Sequence, residues 1–296
     1  MTVVLAPERP ADRPHLGPRR LAWLRFRANK AALASGIVLA VVILAAIFAP
    51  LITPTSYDAQ LYLSQALAFP SGQFWFGVDD LGRDFFTRIV FGARVSLSIG
   101  FSAAICSVAI GLPLGAIAGY YGGAADWFIM RLIELFSVVP PLLAAMLLGA
   151  LTSGGFLTIV TVAALFGWVQ VCLLVRAQIK SFREKDYVRA AQALGASPTY
   201  IIRRHLIPNA ISPVIVGFVL SIPMAMMLEA SLSFLGIGVP PPTPSWGQMI
   251  NTGMNFMYFY WHMAVFPTAA LAITVLATTL FGDGLRDALD PTLKAR

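Results

Sequence analysis

Charged side chains are absent from three long intervals, Ala31–Tyr57, Val95–Ala125 and Leu135–Val175, and between His205 and Gly282 the single acidic or basic residue is Glu229. Apolar residues fill these intervals all round, the pattern of helices surrounded by hydrocarbon rather than laid on a soluble core. A bilayer core of about 30 Å is crossed by roughly 20 such residues. Six segments are long enough: 31–52, 95–118, 129–151, 156–176, 207–236 and 262–281. The third carries Arg131 and Glu134 in its first turn. The expected fold is an all-α polytopic membrane protein with six transmembrane helices. The expected divisions are a basic N-terminal tail (1–30), a first transmembrane helix with a following outer loop (31–94), and a five-helix core (95–296) that includes a polar loop at 176–208.

Composition agrees: 58% of the 296 residues are hydrophobic and 12% are charged, against about 25% charged in soluble proteins. Such a chain could not hide its apolar surface in one soluble core. The placement of charge sets an orientation. Seven basic residues precede residue 31, seven more lie in 176–204, and Arg131, Arg286, Lys294 and Arg296 fall on the same side of the six spans. Only Arg83, Arg88 and Arg94 lie on the other. The positive-inside rule then places both termini and the 176–204 segment in the cytoplasm. The net charge of +7 reflects this topology and contact with anionic membrane lipid, not nucleic-acid binding. The first span is too long, and its polar leader too long, for a signal peptide, and Ala49-Pro50 is a poor cleavage site, so it reads as an uncleaved helix. Cys106 and Cys172 fall inside spans, and His15, His205 and His262 form no ligand motif, so no disulfide or metal site is expected.

The outer loop, about 53–93, contains Gly77-Val78-Asp79-Asp80-Leu81-Gly82-Arg83-Asp84. The alternating ligands and terminal glutamate of a calcium loop are missing, which favours a turn followed by an interfacial helix, Phe85 to Arg94. Tyr120 and Tyr121, between spans two and three, read as interfacial anchors. The run Pro240-Pro241-Pro242-Thr243-Pro244 before Trp246 is expected outside, as a stiff hinge or lid. Glu229 lies near the outer end of span five. A carboxylate inside a membrane must face a cavity or a partner. Two readings stay open: a pathway or gate group, or a structural carboxylate hydrogen-bonded to Ser231, Ser233 or a neighbouring subunit.

The segment 176–208 is too polar to span and too patterned for a linker. Tyr187, Ala190, Ala191 and Leu194 recur at i, i+3, i+4 and i+7 of a short helix, with Asp186 placed to cap it. Gly195 suits its C-terminus. Ser197-Pro198 starts a second helix through Ile201, Ile202 and Leu206, and Pro208 marks its end or a kink. An amphipathic helix lying on the membrane would want Trp, Phe or Leu. The small stripe Ala190, Ala191, Gly195 suits close approach of another protein.

Arg189-Ala190-Ala191, then Gly195, then His205-Leu206-Ile207-Pro208 resembles the "EAA" cytoplasmic loop of ABC importer permeases, with Arg189 where the motif has glutamate. The string from Asp186 to Ser197 resembles the peptide/nickel branch. Phe76–Asp84 (with Val78 where the branch often has threonine), Pro113–Gly123, Ala230–Trp246 and Gly282–Pro291 match it as well. Order and spacing are similar to the C-type permease of dipeptide and oligopeptide importers over nearly the whole chain, residues 1–20 excepted.

The resemblance implies a type I ABC importer permease fold in the bacterial inner membrane. It also implies a subunit rather than a whole machine: a homologous second permease forming a heterodimer, two cytoplasmic ATPase subunits or one fused ATPase, and an extracytoplasmic peptide-binding protein. The sequence has no P-loop, so ATP and Mg would be bound by the partners and this chain would be no enzyme and hold no cofactor. Asp186, Tyr187, Val188, Arg189, Ala190, Ala191, Leu194, Gly195, Ala196 and Ser197 would form the coupling helix seated in an ATPase. Glu229, Ser231 and Ser233 are pathway or gate candidates, and Pro213, Pro223, Gly282 and Gly284, the two glycines read as following span six, are hinge candidates. A self-contained ion-coupled carrier is the main rival, but it would want midplane carboxylates and paired repeats. An intramembrane protease would want motifs that are absent. The cargo is left unnamed, with di- and oligopeptides first and nickel, heme, glutathione and opines open.

Overall fold

The computed structural model describes residues 18–152 and 154–289; Arg9, Arg13, His15, Lys294, Arg296 and the end of the Gly282–Pro291 motif lie outside them. The helices are α1 (Pro18–Ala28), α2 (Lys30–Ile47), α3 (Ala49–Ile52), α4 (Phe85–Tyr121), α5 (Gly123–Val138), α6 (Pro141–Thr152), α7 (Phe156–Arg183), α8 (Asp186–Ala193), α9 (Pro198–Ile201), α10 (Ile207–Phe234), α11 (Trp246–Phe256) and α12 (His262–Leu289). A π turn, Ile202–Leu206, joins α9 to α10. Among the described residues five helices are long and apolar enough to cross a membrane, and α5 with α6 makes a sixth if the pair is one span.

That pair departs from the expected straight span. The two helices meet at 78°. Pro140 drives the residue before it out of helical geometry, and Val139 is extended at φ −84°, ψ 121°. Span two also differs: α4 runs unbroken for 37 residues from Phe85, so the expected interfacial helix and the span are one element. Asp84 caps it, accepting from the Thr87 amide at 2.7 Å and the Thr87 hydroxyl at 2.6 Å. The expected glycine hinges after span six lie inside α12. A Cβ on Gly282 would stand 2.7 Å from Leu220 Cδ2 on α10, and one on Gly284 would collide with Ala32 on α2. Both are close-packing positions.

The firmest seam lies between α4 and α7. Gly111, Gly115 and Gly119 recur every four residues, and a Cβ on them would come within 2.7, 2.6 and 2.7 Å of the carbonyl oxygens of Trp168, Cys172 and Arg176. The matching increments make the two helices parallel. Without a hydrophobic drive between helices in lipid, such backbone contact is a main source of association. The Arg176–Asp126 ion pair ties α7 to α5 at the same end.

The outer loop folds against the start of α4. Asp79 accepts from the amides of Leu81 (3.0 Å) and Arg83 (2.8 Å), pairs with Arg83 Nε at 2.6 Å and lies 3.3 Å from Arg88 Nε. Arg88 also donates to the Tyr57 carbonyl and, more weakly, to Pro242. This compensation lets a buried arginine sit in a helix that was expected to lie at the interface and instead runs on into the span. The proline run is thus tied to α4 through the Arg88 side chain.

Candidate coupling loop and cavity

α8 begins after Lys185, which takes the cap position, so Asp186 is the first helical residue and not the cap. Its negative charge still suits the positive end of the helix. The helix ends in a Schellman turn: Ala196 donates to Ala191 and Gly195 to Gln192, both at 3.0 Å, with Gly195 at φ +78°. That conformation is costly for any residue with a Cβ. Ser197 caps α9 by accepting from the Tyr200 amide at 3.4 Å, with Pro198 at the first position.

The side chain that seats α8 is Val188, 0% exposed. It packs in a cluster with Tyr120 of α4, Val175 and Ile179 of α7, Leu206 of the π turn and Ala210 of α10, with Ala191 and Ala196 at the edge. Of the periodic set Tyr187, Ala190, Ala191 and Leu194, Ala191 is half-buried against this cluster, while Tyr187 at 42% and Leu194 at 88% exposure turn outward, with Ala190, Arg189 and Gly195 exposed beside them. Tyr120, expected as an interfacial anchor, is buried, whereas Tyr121 is exposed. The Tyr120 hydroxyl lies 3.5 Å from Gln192 Nε2, and the Arg183 guanidinium sits 5.8 Å from its ring. Pro208 stands in the first turn of α10, where the π turn ends and span five begins. The missing amide is absorbed by the π turn, in which Ile207 donates to Ile202, and Asn209 Nδ2 reaches the His205 carbonyl at 2.5 Å.

A cavity of about 750 Å³ opens between α4, α6, α7 and α10. Its polar groups include Ser107, Gln170, Ser221 and Ser231, with Met224 and Met227 among the apolar wall. Arg286 is the one charged residue that lines it among the described residues. Ser231 therefore faces the cavity, its hydroxyl donating back to the Met227 carbonyl at 2.8 Å.

Glu229 and Ser233 do not line that cavity. Glu229 is 0% exposed and accepts from Ser233 at 2.7 Å and from Ser96 of α4 at 3.1 Å. Ser96 in turn lies 3.4 Å from the Trp246 amide, and Ser245, the cap of α11, lies 3.4 Å from Ser233. The carboxylate thus closes a serine relay that ties α10 to α4 and α11. Trp246 reinforces the joint, its indole N–H donating to the Ile89 carbonyl at 3.0 Å. Ser245 and Trp246 fall at the end of the Ala230–Trp246 stretch, but nothing local in the sequence links them or Ser96 to Glu229.

The proposed hinges divide. Pro213 and Pro223 stand inside α10, which continues through both. Pro223 is buried.

Residues 111–295 match the family described as binding-protein-dependent transport system inner membrane component, and residues 17–70 match the N-terminal transmembrane domain of oligopeptide transport permease C. The chain is 40% identical over 273 residues to the oligopeptide transport system permease protein OppC of Bacillus subtilis (strain 168), covering 92% of this chain and 89% of the relative. It is 40% identical over 283 residues to the dipeptide transport system permease protein DppC of the same organism, covering 95% and 88%. It is 39% identical over 280 residues to the glutathione transport system permease protein GsiD of Pectobacterium atrosepticum, covering 94% and 92%. Among solved structures, an inward-facing MetNI methionine ABC transporter chain is similar in fold, with a TM-score of 0.53, 17% identity and coverage of 69% of this chain and 96% of that one.

Proposed function

The chain belongs to the family of binding-protein-dependent transport system inner membrane components, a multi-pass membrane permease of the ABC importer type, and from that premise we propose that it forms half of a translocation pathway for short peptides. Relatives named for oligopeptide, dipeptide and glutathione transport support peptide cargo, and a nearly uncharged cavity wall suits cargo of varied side chains. A homologous permease completes the pathway, and an extracytoplasmic binding protein delivers the peptide. ATP is hydrolysed on separate cytoplasmic ATPase subunits, with both termini of this chain on their side of the bacterial inner membrane.

The observation that carries the reading is the double character of α8. Its exposed face, Tyr187, Ala190 and Leu194, offers apolar area to a partner, while Val188 is held in a cluster shared by α4, α7 and α10. These three helices all line the cavity. Displacement of α8 by closing ATPases would move them together and alternate access between the two sides. Pro213 and Pro223 supply flexibility in α10, where a proline removes a helical hydrogen bond. The ion-coupled carrier is disfavoured by the family match and by a cavity with no carboxylate among its lining residues.

Reconstitution of the chain with its genomic neighbours into liposomes tests the proposal. Uptake of a labelled dipeptide should require ATP and the complete set of subunits. Uptake by this chain alone, driven by an ion gradient, would overturn it.

A further inference from the structure

Residues 18–28, expected as part of a basic tail, form the helix α1, and its exposed face has an unusual make-up. Arg20, Trp23, Leu24 and Arg27 are all exposed, Trp23 at 59% and Leu24 at 46%. Their spacing of i, i+3, i+4 and i+7 puts them on one side of the helix. The opposite side, Leu21, Ala22, Arg25 and Phe26, is half-buried, with Phe26 edge-on to Phe281 of α12 at 5.4 Å. The helix contains no acidic residue. A tryptophan and a leucine bracketed by two arginines are poorly served by water.

Position identifies what covers this face. One residue, Asn29, separates α1 from the membrane-spanning α2, and its side chain caps α2 by accepting from the Ala32 amide at 3.1 Å. The chain therefore enters hydrocarbon immediately after α1. The outer side of α2 continues as an exposed apolar stripe, Ile37, Val41 and Leu44. α1 flanks that lipid-facing stripe at headgroup level, on the side of the membrane where α4 ends and α8 begins.

We propose that the Arg20–Trp23–Leu24–Arg27 face of α1 binds anionic phospholipid headgroups in that leaflet. Trp23 and Leu24 lie at the boundary of headgroups and acyl chains, and the two guanidinium groups turn up to phosphate along their aliphatic stems. The inference requires that α2 crosses the bilayer and nothing about cargo or ATPases. It gives α1 a binding function of its own.

The test uses the full-length chain, co-expressed with its genomic neighbours and placed in nanodiscs of phosphatidylglycerol and phosphatidylcholine in varied ratio. A spin label is attached at L24C in a Cys106→Ser/Cys172→Ser background, and W23C provides a second position should the first fail to fold. Relaxation by oxygen and by a water-soluble nickel chelate should place the label at the headgroup–acyl boundary as phosphatidylglycerol is added. Arg20→Gln or Arg27→Gln should each raise the phosphatidylglycerol fraction needed for half-maximal burial about fivefold. A label that the nickel chelate reaches equally at every composition would overturn the proposal. So would one shielded from both reagents at every composition, which would mean that protein covers the face.

Discussion

Val188 is the fully buried residue of α8, and under the proposed coupling role its removal should separate docking from transmission. Val188→Ala deletes two methyl groups from a fully buried cluster, a change worth about 2 kcal/mol locally. The expected outcome is ATP hydrolysis that persists but is no longer stimulated by peptide, measured in proteoliposomes. Asp80, in the outer loop, offers a pH test. Burial and then the neighbouring Asp79 charge push its carboxyl above the usual range, and one carboxyl oxygen is buried without a hydrogen-bond partner. The folded state therefore holds this proton more tightly than the unfolded state, so stability falls as pH rises from the ordinary carboxylate range through the raised value. Asp80→Asn should raise the melting temperature at pH 7 by about 2 °C and remove that loss; an unchanged pH profile of the melt would contradict the assignment. At this scale legibility followed sequence distance. The roles of Gly195 and Ser197 were readable because turns and caps are local, and so was Ser233 as a partner of Glu229, one helical turn away, whereas Ser96 donates to Glu229 from 133 positions away and Trp246 meets Ser96 from 150.

Helices tell a similar story with different exceptions. Length and charge were enough to find the spans, since a bilayer demands uninterrupted apolar runs. They placed Arg88 in a helix from Phe85 to Arg94 but could not show that this helix runs on unbroken into the span, because the Asp79 that offsets the buried charge lies in a separate loop. They also missed the break between α5 and α6, although Pro140 carried the signal in its constraint on Val139. The amphipathic period of α8 was read correctly and its inward face was not. In a lipid-adjacent loop the apolar stripe can serve a partner while one β-branched residue holds the helix down. The α4–α7 seam yields a direct prediction. Gly115→Val would place side-chain atoms against the Cys172 carbonyl, where even a Cβ stands at 2.6 Å, and overpacking of this kind costs about 1–3 kcal/mol or more. The purified complex should melt several degrees lower and elute heterogeneously, while Gly123→Val, with open space around it, tests mainly the strain of a positive φ.

For the molecule as a whole, one end gathers α1, the C-terminal part of α12, the Tyr120 end of α4 and the coupling loop, and the other gathers the outer loop, α11 and the Glu229 relay. Between them lies a cavity whose polar groups are uncharged apart from Arg286 at the α12 end. The end that holds the Glu229 relay is cross-tied by buried serine, tryptophan and arginine contacts. At the opposite end α4, α5 and α7 are joined by the Gly119 contact and the Arg176–Asp126 pair, while α8 itself is seated through Val188, which is where an external force would enter. The central claim is that work done on the exposed face of α8 drives transport, and Leu194→Asp tests it most directly. Leu194 is exposed and outside the core, so the fold should persist. In proteoliposomes carrying the complete complex, ATP-driven uptake of labelled peptide should fall at least tenfold while the variant still inserts and pairs with its sister permease. Full uptake by Leu194→Asp, with ATPases retained at wild-type stoichiometry, would contradict the account.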